Sequence, residues 1–354
     1  MSQPNNRIGG YQAGRVPEDA VKRIAKNQET LPQKVDLRKF LTSVERQVGN
    51  SCVANAMAGA YEYLAKRELG DAKDVSRLFI YYNARYLAGK PDKDTGSNME
   101  KAIDGLIEYG ACAEHLWPNE KDYINHEPAQ EAYDHGANFK IVSAEYAETD
   151  RNLWREVLAD GYPITFAINT FSSFDDASKN KGRVPMPKAS DNVRTTHGWH
   201  AMLCVGYSDI DKVFIVRNSW GEQWGDGGYC YMPYDYVMHK DYNAHDSWII
   251  KAVENLDYSE DVAVEDDASF FYNEGYLVIQ DFKAYCTDSE QFIADLTQLV
   301  SDYTESEEDY FFDYETVEDE NGIEYLQITE FYLNTEDHDI FMEELDNLAT
   351  ESTG

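Results

Sequence analysis

The sequence predicts an α+β protein built from two units. Three observations support this prediction: apolar residues at helical spacing after Cys52, two β-rich runs around residue 209, and an abrupt change of charge near residue 255. The last hundred residues carry 30 Asp and Glu against one basic residue, Lys283, whereas the 254 residues before them carry 36 acidic and 30 basic residues. Charge asymmetry of this size marks units with different partners. We therefore expect a reactive α+β unit followed by a small acidic α+β domain.

Length and composition exclude several classes of protein. The 354 residues are 42% hydrophobic and 13% aromatic, which is enough for at least two packed cores. No apolar run approaches the roughly 20 residues of a membrane span, and the start of the chain has no segment resembling a signal peptide. We expect a soluble protein without a membrane partner, located in the cytoplasm or exported without a classical signal peptide. Its acidic charge also disfavours nucleic acid as a partner.

The cysteine pattern favours reduced thiols. Five cysteines, an odd number, are widely spaced and include no Cys-x-x-Cys pair: Cys52, Cys112, Cys204, Cys230 and Cys286. This spacing is typical neither of a disulfide framework nor of a zinc knuckle. One of the thiols is therefore available as a nucleophile.

Cys52 is the candidate nucleophile because it lies where a helix is predicted to begin. Asn50 and Ser51 are suitable N-cap residues, and Gly70 is a suitable stop. Apolar residues follow at helical spacing: Val53, Ala56, Met57, Ala60 and Leu64. A thiol at a helix N-terminus has a lowered pKa, because the positive end of the helix dipole stabilises the thiolate. The alternative interpretation is a small buried cysteine at the start of an ordinary helix.

A base for this thiol is predicted on a β-hairpin. The runs 200–207 and 212–218 flank a turn-like segment, 208–211. A turn centred at Asp209 sets His200 opposite Asn218, Met202 opposite Val216 and Cys204 opposite Phe214, all on one face. The Asn oxygen can then hydrogen-bond the imidazole and determine which ring nitrogen carries the proton.

These residues resemble the papain-like cysteine peptidases. The resemblance lies in Gln47, Ser51-Cys52, Gly198-Trp199-His200-Ala201 and NSWGEQWGDGGY over 218–229, and it extends from about Val35 to about Glu254. It implies a papain-like two-lobed fold, with a helical lobe, a β-rich lobe and the active-site cleft between them. It also implies a thiol endopeptidase that acts on protein or peptide substrates.

The resemblance implies a role for each matching residue. Cys52 would attack the peptide carbonyl, His200 would act as acid and base, and Asn218 would orient His200. Gln47 would supply the oxyanion hole, although it lies five residues before the nucleophile where the family usually has six. Trp220 would shield the hydrogen bond between His200 and Asn218.

Substrate binding is expected at Gly96 and Ser97, in the position of the family's pocket glycines, and at Trp199 and Trp220. Trp199, where relatives often have a small or acidic residue, either walls the cleft or packs. His197 is interpreted as a structural histidine. The group His239, Asp241, His245 and Asp246 lacks ligand periodicity, so no metal and no cofactor are expected.

Four segments are predicted: an N-terminal extension at 1–34, the peptidase domain at 35–256, an acidic linker at 257–268 and an acidic α+β domain at 269–354. We expect neither a long inhibitory prosegment nor a bridge to a cysteine just before Cys52, two features that the resemblance would otherwise imply. The acidic domain is predicted to have a ββαββα order, with a hairpin turn at Asn321-Gly322. It would inhibit the enzyme, bind a basic protein partner or a substrate, or keep the protein soluble.

Two other functions remain open. An amine that captures the acyl-enzyme would make the protein a transpeptidase or cross-linking enzyme. An inactive protease fold would instead serve as a binding protein whose acidic domain carries the function.

Overall fold

The computed structural model describes residues 10–26, 31–69, 73–253, 269–273, 276–280, 282–284, 289–304, 310–318 and 324–333, and positions 341, 345 and 348. The chain separates into two compact units, Met1–Val264 and Glu265–Gly354. The predicted linker at 257–268 and the turn at Asn321-Gly322 lie outside the described residues.

The described residues of the first unit form six α-helices. They are α1 (Cys52–Leu69), α2 (Arg77–Leu87), α3 (Met99–Glu108), α4 (Gln130–Gly136), α5 (Arg151–Ala159) and α6 (Tyr234–Val237). Short 3-10 helices lie at Arg38–Phe40, Glu114–Leu116, Lys121–Tyr123 and Ser172–Lys179. Helix α3 is capped by Asn98, whose Oδ1 accepts the Lys101 N–H at 2.8 Å. This cap sets where the preceding loop, 94–97, enters the helix.

A seven-stranded antiparallel sheet forms the other half of this unit. Its strands are β1 (Lys34–Asp36), β2 (Ile141–Tyr146), β3 (Ile164–Asn169), β4 (Trp199–Ser208), β5 (Val213–Arg217), β6 (Tyr229–Pro233) and β7 (Trp248–Val253). The order is β2-β7-β3-β4-β5-β6, and β1 pairs with the far end of β4. Within the described part of the chain, none of the helices is long and apolar enough to span a bilayer.

Helix α1 packs against strand β4, and this contact brings the two halves together. The predicted apolar face of α1 is buried, at Val53, Ala56, Met57, Ala60 and Leu64. A Cβ on Gly59 would lie 3.2 Å from Leu203 of β4, so a residue without a side chain allows this close approach. One hydrophobic cluster runs through both halves. The two halves are therefore lobes with a shared core.

The predicted hairpin is confirmed as β4 and β5, but its predicted register is wrong. The prediction sets Cys204 opposite Phe214, whereas the structure pairs Cys204 with Val216. The register shifts between Cys204 and Gly206. A bulge of this kind adds a residue to one strand only, which two-residue alternation cannot show.

The corrected register changes how the predicted base and its partner meet. His200 pairs with Ile168 of β3, and Asn218 follows the last residue of β5. Leu203 of β4 pairs with Arg217, so the observed register does not set His200 opposite Asn218. Their side chains nevertheless meet, with Nε2 of His200 2.7 Å from Oδ1 of Asn218.

In its described residues, the second unit is a five-stranded antiparallel sheet with one helix, and most of the predicted last helix, 337–349, lies outside these residues. Its elements are β8 (Ser269–Asn273), β9 (Tyr276–Gln280), β10 (Phe282–Ala284), α7 (Ser289–Asp302), β11 (Tyr310–Glu318) and β12 (Glu324–Leu333). The predicted hairpins are present as β8/β9 and β11/β12. Strand β10, which was not predicted, pairs with β12. A separate core includes Phe292, Leu296, Leu326 and Phe331.

Candidate active site

The candidate nucleophile lies at the first residue of α1 and is fully buried. Cys52 has no exposed surface, and its Sγ accepts the backbone N–H of Ala201 at 3.5 Å. Ser51 donates its hydroxyl to the carbonyl of Val48 at 2.8 Å, which orders the turn before the helix. The contact with Ala201 places the sulfur beside β4, one residue from His200.

His200 has a defined hydrogen-bond partner on one ring nitrogen. Its Nε2 lies 2.7 Å from Oδ1 of Asn218, and the same oxygen accepts the backbone N–H of Ser219 at 2.8 Å. A backbone N–H can only donate, so the Asn218 atom in this position is the carbonyl oxygen. His200 therefore donates from Nε2. Its Nδ1 has no hydrogen-bond partner among the described residues and is the basic nitrogen.

Aromatic side chains cover this hydrogen bond. The ring of Trp220 stacks on His200 with centroids 5.0 Å apart, and Trp224 and Phe174 lie behind Trp220 at 5.2 and 5.6 Å. The guanidinium of Arg194 lies 4.8 Å above the Trp220 ring. Excluding water strengthens the hydrogen bond because the local dielectric constant is low. The Trp220 ring therefore lies over the imidazole that makes this hydrogen bond.

His197 also lies in this cluster. Its ring centroid is 5.6 Å from that of His200 and 5.7 Å from that of Trp220. Burial lowers the pKa of His197, and the nearby Arg194 lowers it further. Its carbonyl accepts the Thr170 hydroxyl at 2.6 Å. His197 therefore borders the site beside His200 and Trp220.

Burial keeps the reacting pair neutral in this conformation. It raises the pKa of the Cys52 thiol to about 12 and lowers the pKa of the His200 imidazole to about 3. His197 lowers the pKa of His200 further. The sequence predicts a lowered thiol pKa at the helix N-terminus, and the structure shows the opposite direction. The reason is desolvation, which opposes the charged form of both groups.

A segment of the chain itself occupies the cleft beside Cys52. The carbonyl of Gly10 accepts the Ser97 N–H at 3.0 Å, and the Gln12 N–H donates to the Ser97 carbonyl at 2.8 Å. A Cβ on Gly10 would lie 2.6 Å from Sγ of Cys52 and 2.5 Å from the carbonyl oxygen of Asn50. This contact was not predicted from the sequence. Its signal was a glycine before an aromatic residue in a segment otherwise interpreted as an extension.

The side chain next to Gly10 fills a buried pocket. Tyr11 is 1% exposed, and its hydroxyl donates to Oδ2 of Asp246 at 2.9 Å. The indole N–H of Trp248 donates to the other oxygen, Oδ1, at 2.7 Å. The ring of Trp199 lies 6.2 Å from the Tyr11 ring. Burial raises the pKa of Asp246, and both hydrogen bonds oppose that rise.

Gln47 lies at the site with its amide already engaged. Its backbone N–H donates to the Ser219 carbonyl at 2.8 Å, and its Oε1 accepts the Ser219 hydroxyl at 2.7 Å. Its Nε2 donates to the carbonyl of Gly49 at 2.9 Å. The side-chain amide of Gln47 is therefore anchored next to Asn218, and its Nε2 donates to the loop before Cys52.

Asp94 connects the two loops that border the cleft. Its Oδ1 accepts the Asn50 N–H at 2.9 Å and the Tyr81 hydroxyl at 2.7 Å. The Tyr81 oxygen in turn accepts the Gly96 N–H at 2.8 Å. The amide of Asn50 donates to the Asp94 carbonyl at 3.0 Å. These bonds join the nucleophile loop, 47–51, to the pairing loop, 94–97.

Two of the residues that the sequence suggested as possible metal ligands, Asp246 and His239, contact other side chains. Asp246 binds Tyr11 and Trp248, and His239 stacks on Tyr242 with centroids 3.7 Å apart. Within the described residues, the acidic cluster with metal-like spacing is a different one, formed by Glu45, Glu62 and Asp74. Arg77 forms ion pairs with Glu45 at 2.5 Å and with Glu62 at 2.6 Å.

The structure brings most of the predicted site residues together. Sγ of Cys52 and the His200–Asn218 pair meet beside β4, and Gln47 joins them through Ser219. Gly96 and Ser97 contact Gly10, so they border the same cleft. Trp199 contributes to the Tyr11 pocket. The residues that sequence reasoning missed are Tyr11, Asp94 and the role of Asp246.

Comparisons with known proteins agree on one family. The sequence model of a family described as "Papain family cysteine protease" matches residues 31–249. The "Uncharacterized peptidase C1-like protein L477" of Acanthamoeba polyphaga mimivirus is 37% identical over 238 residues, which cover 62% of this chain and 74% of that protein.

Solved structures show the same similarity. Xylellain, described as a cysteine protease from Xylella fastidiosa, superposes with a TM-score of 0.63 at 30% identity, over 69% of this chain and 96% of that one. A digestive procathepsin L 3 from Tenebrio molitor has a TM-score of 0.51 at 20% identity, over 68% of this chain and 75% of its own. The latter similarity concerns the fold alone.

Proposed function

The chain belongs to the papain family of cysteine proteases, and we propose that it hydrolyses peptide bonds through a Cys52 acyl-enzyme with His200 as acid and base. It is a papain-like cysteine protease with an α+β papain-like fold, and relatives of this family act on proteins or peptides. The proposal names the residues that carry the reaction in this chain.

The observation that carries the proposal is the hydrogen bond from His200 to Asn218. The Ser219 N–H identifies the Asn218 atom beside His200 as the carbonyl oxygen. Nε2 of His200 therefore holds the proton, and Nδ1 is available to accept a second proton. Sγ of Cys52 lies against the backbone of Ala201, the residue after His200. A base with a defined tautomer beside a thiol is the arrangement that nucleophilic catalysis needs.

The reaction follows from this arrangement. Nδ1 accepts the thiol proton, and the sulfur forms a bond to the substrate carbonyl carbon. His200 then donates that proton to the leaving amine as the carbon–nitrogen bond breaks. Water attacks the thioester after His200 removes its proton, and the sulfur leaves as the acid product forms. Asn218 keeps the imidazole oriented through each transfer.

The oxyanion is expected to lie between two donors, the backbone N–H of Cys52 and Nε2 of Gln47. For this, Nε2 must exchange its bond to the Gly49 carbonyl for one to the substrate oxygen. The anchors from Gln47 to Ser219 keep the amide within reach. Loss of one such donor typically lowers kcat about 10²- to 10³-fold.

The described conformation is a closed one. Gly10 covers Cys52, and its carbonyl oxygen is bound to Ser97, so it does not point to an oxyanion hole. The segment is therefore held as an inhibitor and not as a substrate. When it leaves, water reaches the thiol and the imidazole, and the cost of forming the thiolate and imidazolium falls.

The test is labelling with an epoxide-type thiol-protease inhibitor, followed by intact mass and peptide mapping. We expect one label per chain, on Cys52, and no label on the Cys52→Ser variant. The His200→Ala variant should not be labelled. The buried cysteines Cys112 and Cys204 should remain unmodified in the wild type and in both variants. Equal labelling of wild type and His200→Ala would overturn the assignment. Adding an amine to a peptide assay separates hydrolysis from amine capture by the mass of the products.

A further inference from the structure

We propose that Glu45 is a positioning residue for the oxyanion donor Gln47. Its carboxylate joins an arginine of the helical half to an arginine of the sheet half, and this contact fixes the segment 45–47, which carries Gln47. The inference rests on the proposed function, because it concerns how the chain holds one of the groups assigned there.

The backbone of segment 45–47 pairs with the loop that follows β5. The Gly221 N–H donates to the Glu45 carbonyl at 3.1 Å, and the Gln47 N–H donates to the Ser219 carbonyl at 2.8 Å. These two bonds tie the segment to the sheet half. The side chain of Glu45 ties the same segment to the helices.

Two buried arginines from different halves share the Glu45 carboxylate. Nη2 of Arg77, the first residue of α2, lies 2.5 Å from Oε1. Nη2 of Arg217, the last residue of β5, lies 3.4 Å from Oε2 and also donates to the Ser43 carbonyl at 2.5 Å. Arg77 is 1% exposed and Arg217 is 5% exposed. Because Arg217 directly precedes Asn218, this contact lies one residue from the group that orients the base.

Arg77 is held from its other side by Glu62 of α1, the helix that begins at Cys52. Its Nη1 and Nη2 lie 2.6 and 2.8 Å from the two oxygens of Glu62, which has no exposed surface. A line of alternating charges therefore runs from the helix of the nucleophile to the end of β5: Glu62, Arg77, Glu45 and Arg217.

The negative charge of Glu45 holds the two guanidinium groups together. Burial raises the pKa of its carboxyl, Glu62 raises it further, and both arginines oppose the rise. An amide of the same shape would leave Arg217 without this counter-charge, and a buried charge that loses its partner is costly. Segment 45–47 should then shift. A small displacement of a group that stabilises the transition state is enough to slow a reaction.

The first experiment measures steady-state kinetics with a fluorogenic peptide on the full-length wild type, Glu45→Gln, Gln47→Ala and the double variant. Active enzyme is counted by titration with the epoxide inhibitor. Glu45→Gln should lower kcat about tenfold and change KM less than about twofold, because the oxyanion develops only in the transition state. Glu131→Gln, at an exposed position of α4, is the matched control and should behave as the wild type.

The double variant separates positioning from an independent effect. If Glu45 acts through Gln47, the double variant should be as slow as Gln47→Ala alone, because the second change removes nothing more. Losses that multiply in the double variant, or an unchanged kcat in Glu45→Gln, overturn the inference. Glu45→Asp, which keeps the charge on a shorter side chain, should lose less than Glu45→Gln. It repeats the comparison if Glu45→Gln does not fold.

The second experiment follows a reaction of Cys52 that forms no oxyanion. Alkylation by iodoacetamide should proceed in Glu45→Gln within about twofold of the wild-type rate, because it depends on the thiolate and its exposure. A fall in alkylation equal to the fall in kcat would mean that Glu45 supports the thiol or the fold, and it overturns the inference. An unchanged kcat in Gln47→Ala contradicts the oxyanion role of Gln47, and the inference falls with that role. Absence of turnover and of epoxide labelling in the wild type contradicts the proposed function instead.

Discussion

Asn218 shows how one side chain determines the chemistry of another. Its carbonyl oxygen bridges Nε2 of His200 and the Ser219 N–H, at 2.7 and 2.8 Å. Together with the Trp220 ring stacked on His200, this bond leaves Nδ1 as the nitrogen for proton transfer. The Ser219 N–H therefore acts indirectly. It holds the side-chain amide of Asn218 in the orientation that keeps the His200 proton on Nε2.

Asn218→Ala should lower kcat about tenfold or more, because the imidazole loses its orientation and tautomer preference. Steady-state kinetics with a fluorogenic peptide measures this change. Asn243→Ala, which removes a buried asparagine bonded to the Val237 carbonyl, is a control for general loss of packing. If kcat falls equally in both variants, the role assigned to Asn218 is wrong.

The charge state of Cys52 gives a second prediction. Burial raises its thiol pKa to about 12, above the ordinary value of 9.0. A raised pKa means that the closed form favours the neutral thiol at pH 7. Alkylation of Cys52 in the full chain should therefore be slow from pH 5 to 9 and should rise only above that range.

A chain that begins at residue 31 and so lacks the covering segment should react faster at neutral pH. The measurement is the rate of iodoacetamide labelling against pH, read at the Cys52 peptide. Cys112, also buried and with a raised pKa, serves as an internal reference in both proteins. A rate that already plateaus at pH 6 in the full chain would show that the thiol is not held neutral.

At the scale of elements, the cleft depends on two loops that hold each other. Asp94 and Tyr81 join the loop before Cys52 to the loop at Gly96 through hydrogen bonds of 2.7 to 2.9 Å. This carboxylate network connects the loop before the nucleophile to the loop that pairs with Gly10.

Asp94→Ala should reduce kcat/KM about tenfold, with most of the loss in kcat, because Asn50 and Gly96 lose their shared anchor and the oxyanion donors move. Tyr81→Phe, which keeps the ring but removes the bridging oxygen, should show part of the same loss. The neighbouring Asp92 is exposed, so Asp92→Ala is the matched control. A loss confined to thermal stability, with kcat intact, would reduce the network to a structural role.

The closed segment gives another prediction at this scale. In Gly10→Ala the added Cβ would lie 2.5 Å from the Asn50 carbonyl and 2.6 Å from Sγ of Cys52, which is too close for either contact. The segment should leave the cleft, and epoxide labelling should accelerate. Ala13→Ser changes an exposed position of the same segment and should label at the wild-type rate. Equal rates for both variants would mean that Gly10 does not control access.

The whole molecule has two units with separate cores and very different charge. The sequence left open whether the acidic unit inhibits the enzyme. The structure shows that a segment of the first unit already covers the nucleophile. The acidic unit is therefore not needed to account for the closed cleft.

Removing each end of the chain tests this division. A chain that ends at residue 264 should label at the same rate as the full chain, whereas one that begins at residue 31 should label faster. Circular dichroism and thermal melting confirm that each shortened protein is folded. Faster labelling after removal of residues 265–354 would instead assign an inhibitory role to the acidic unit.

The amino-acid sequence by itself determined the features that depend on nearby residues. The start of α1 at Cys52 follows from local helical spacing, the hairpin of β4 and β5 from alternation and a polar turn, and the charge of the second unit from composition. Local patterns suffice for these features because the interactions that produce them join residues close in the chain.

The tertiary structure alone decided the state of the site. The bulge at Cys204 and Gly206 moved the register, and burial reversed the expected pKa shift of Cys52. The bond between Tyr11 and Asp246 joins residues 235 positions apart. No local pattern records such a contact, because it exists only when distant segments pack together and exclude water from the groups between them.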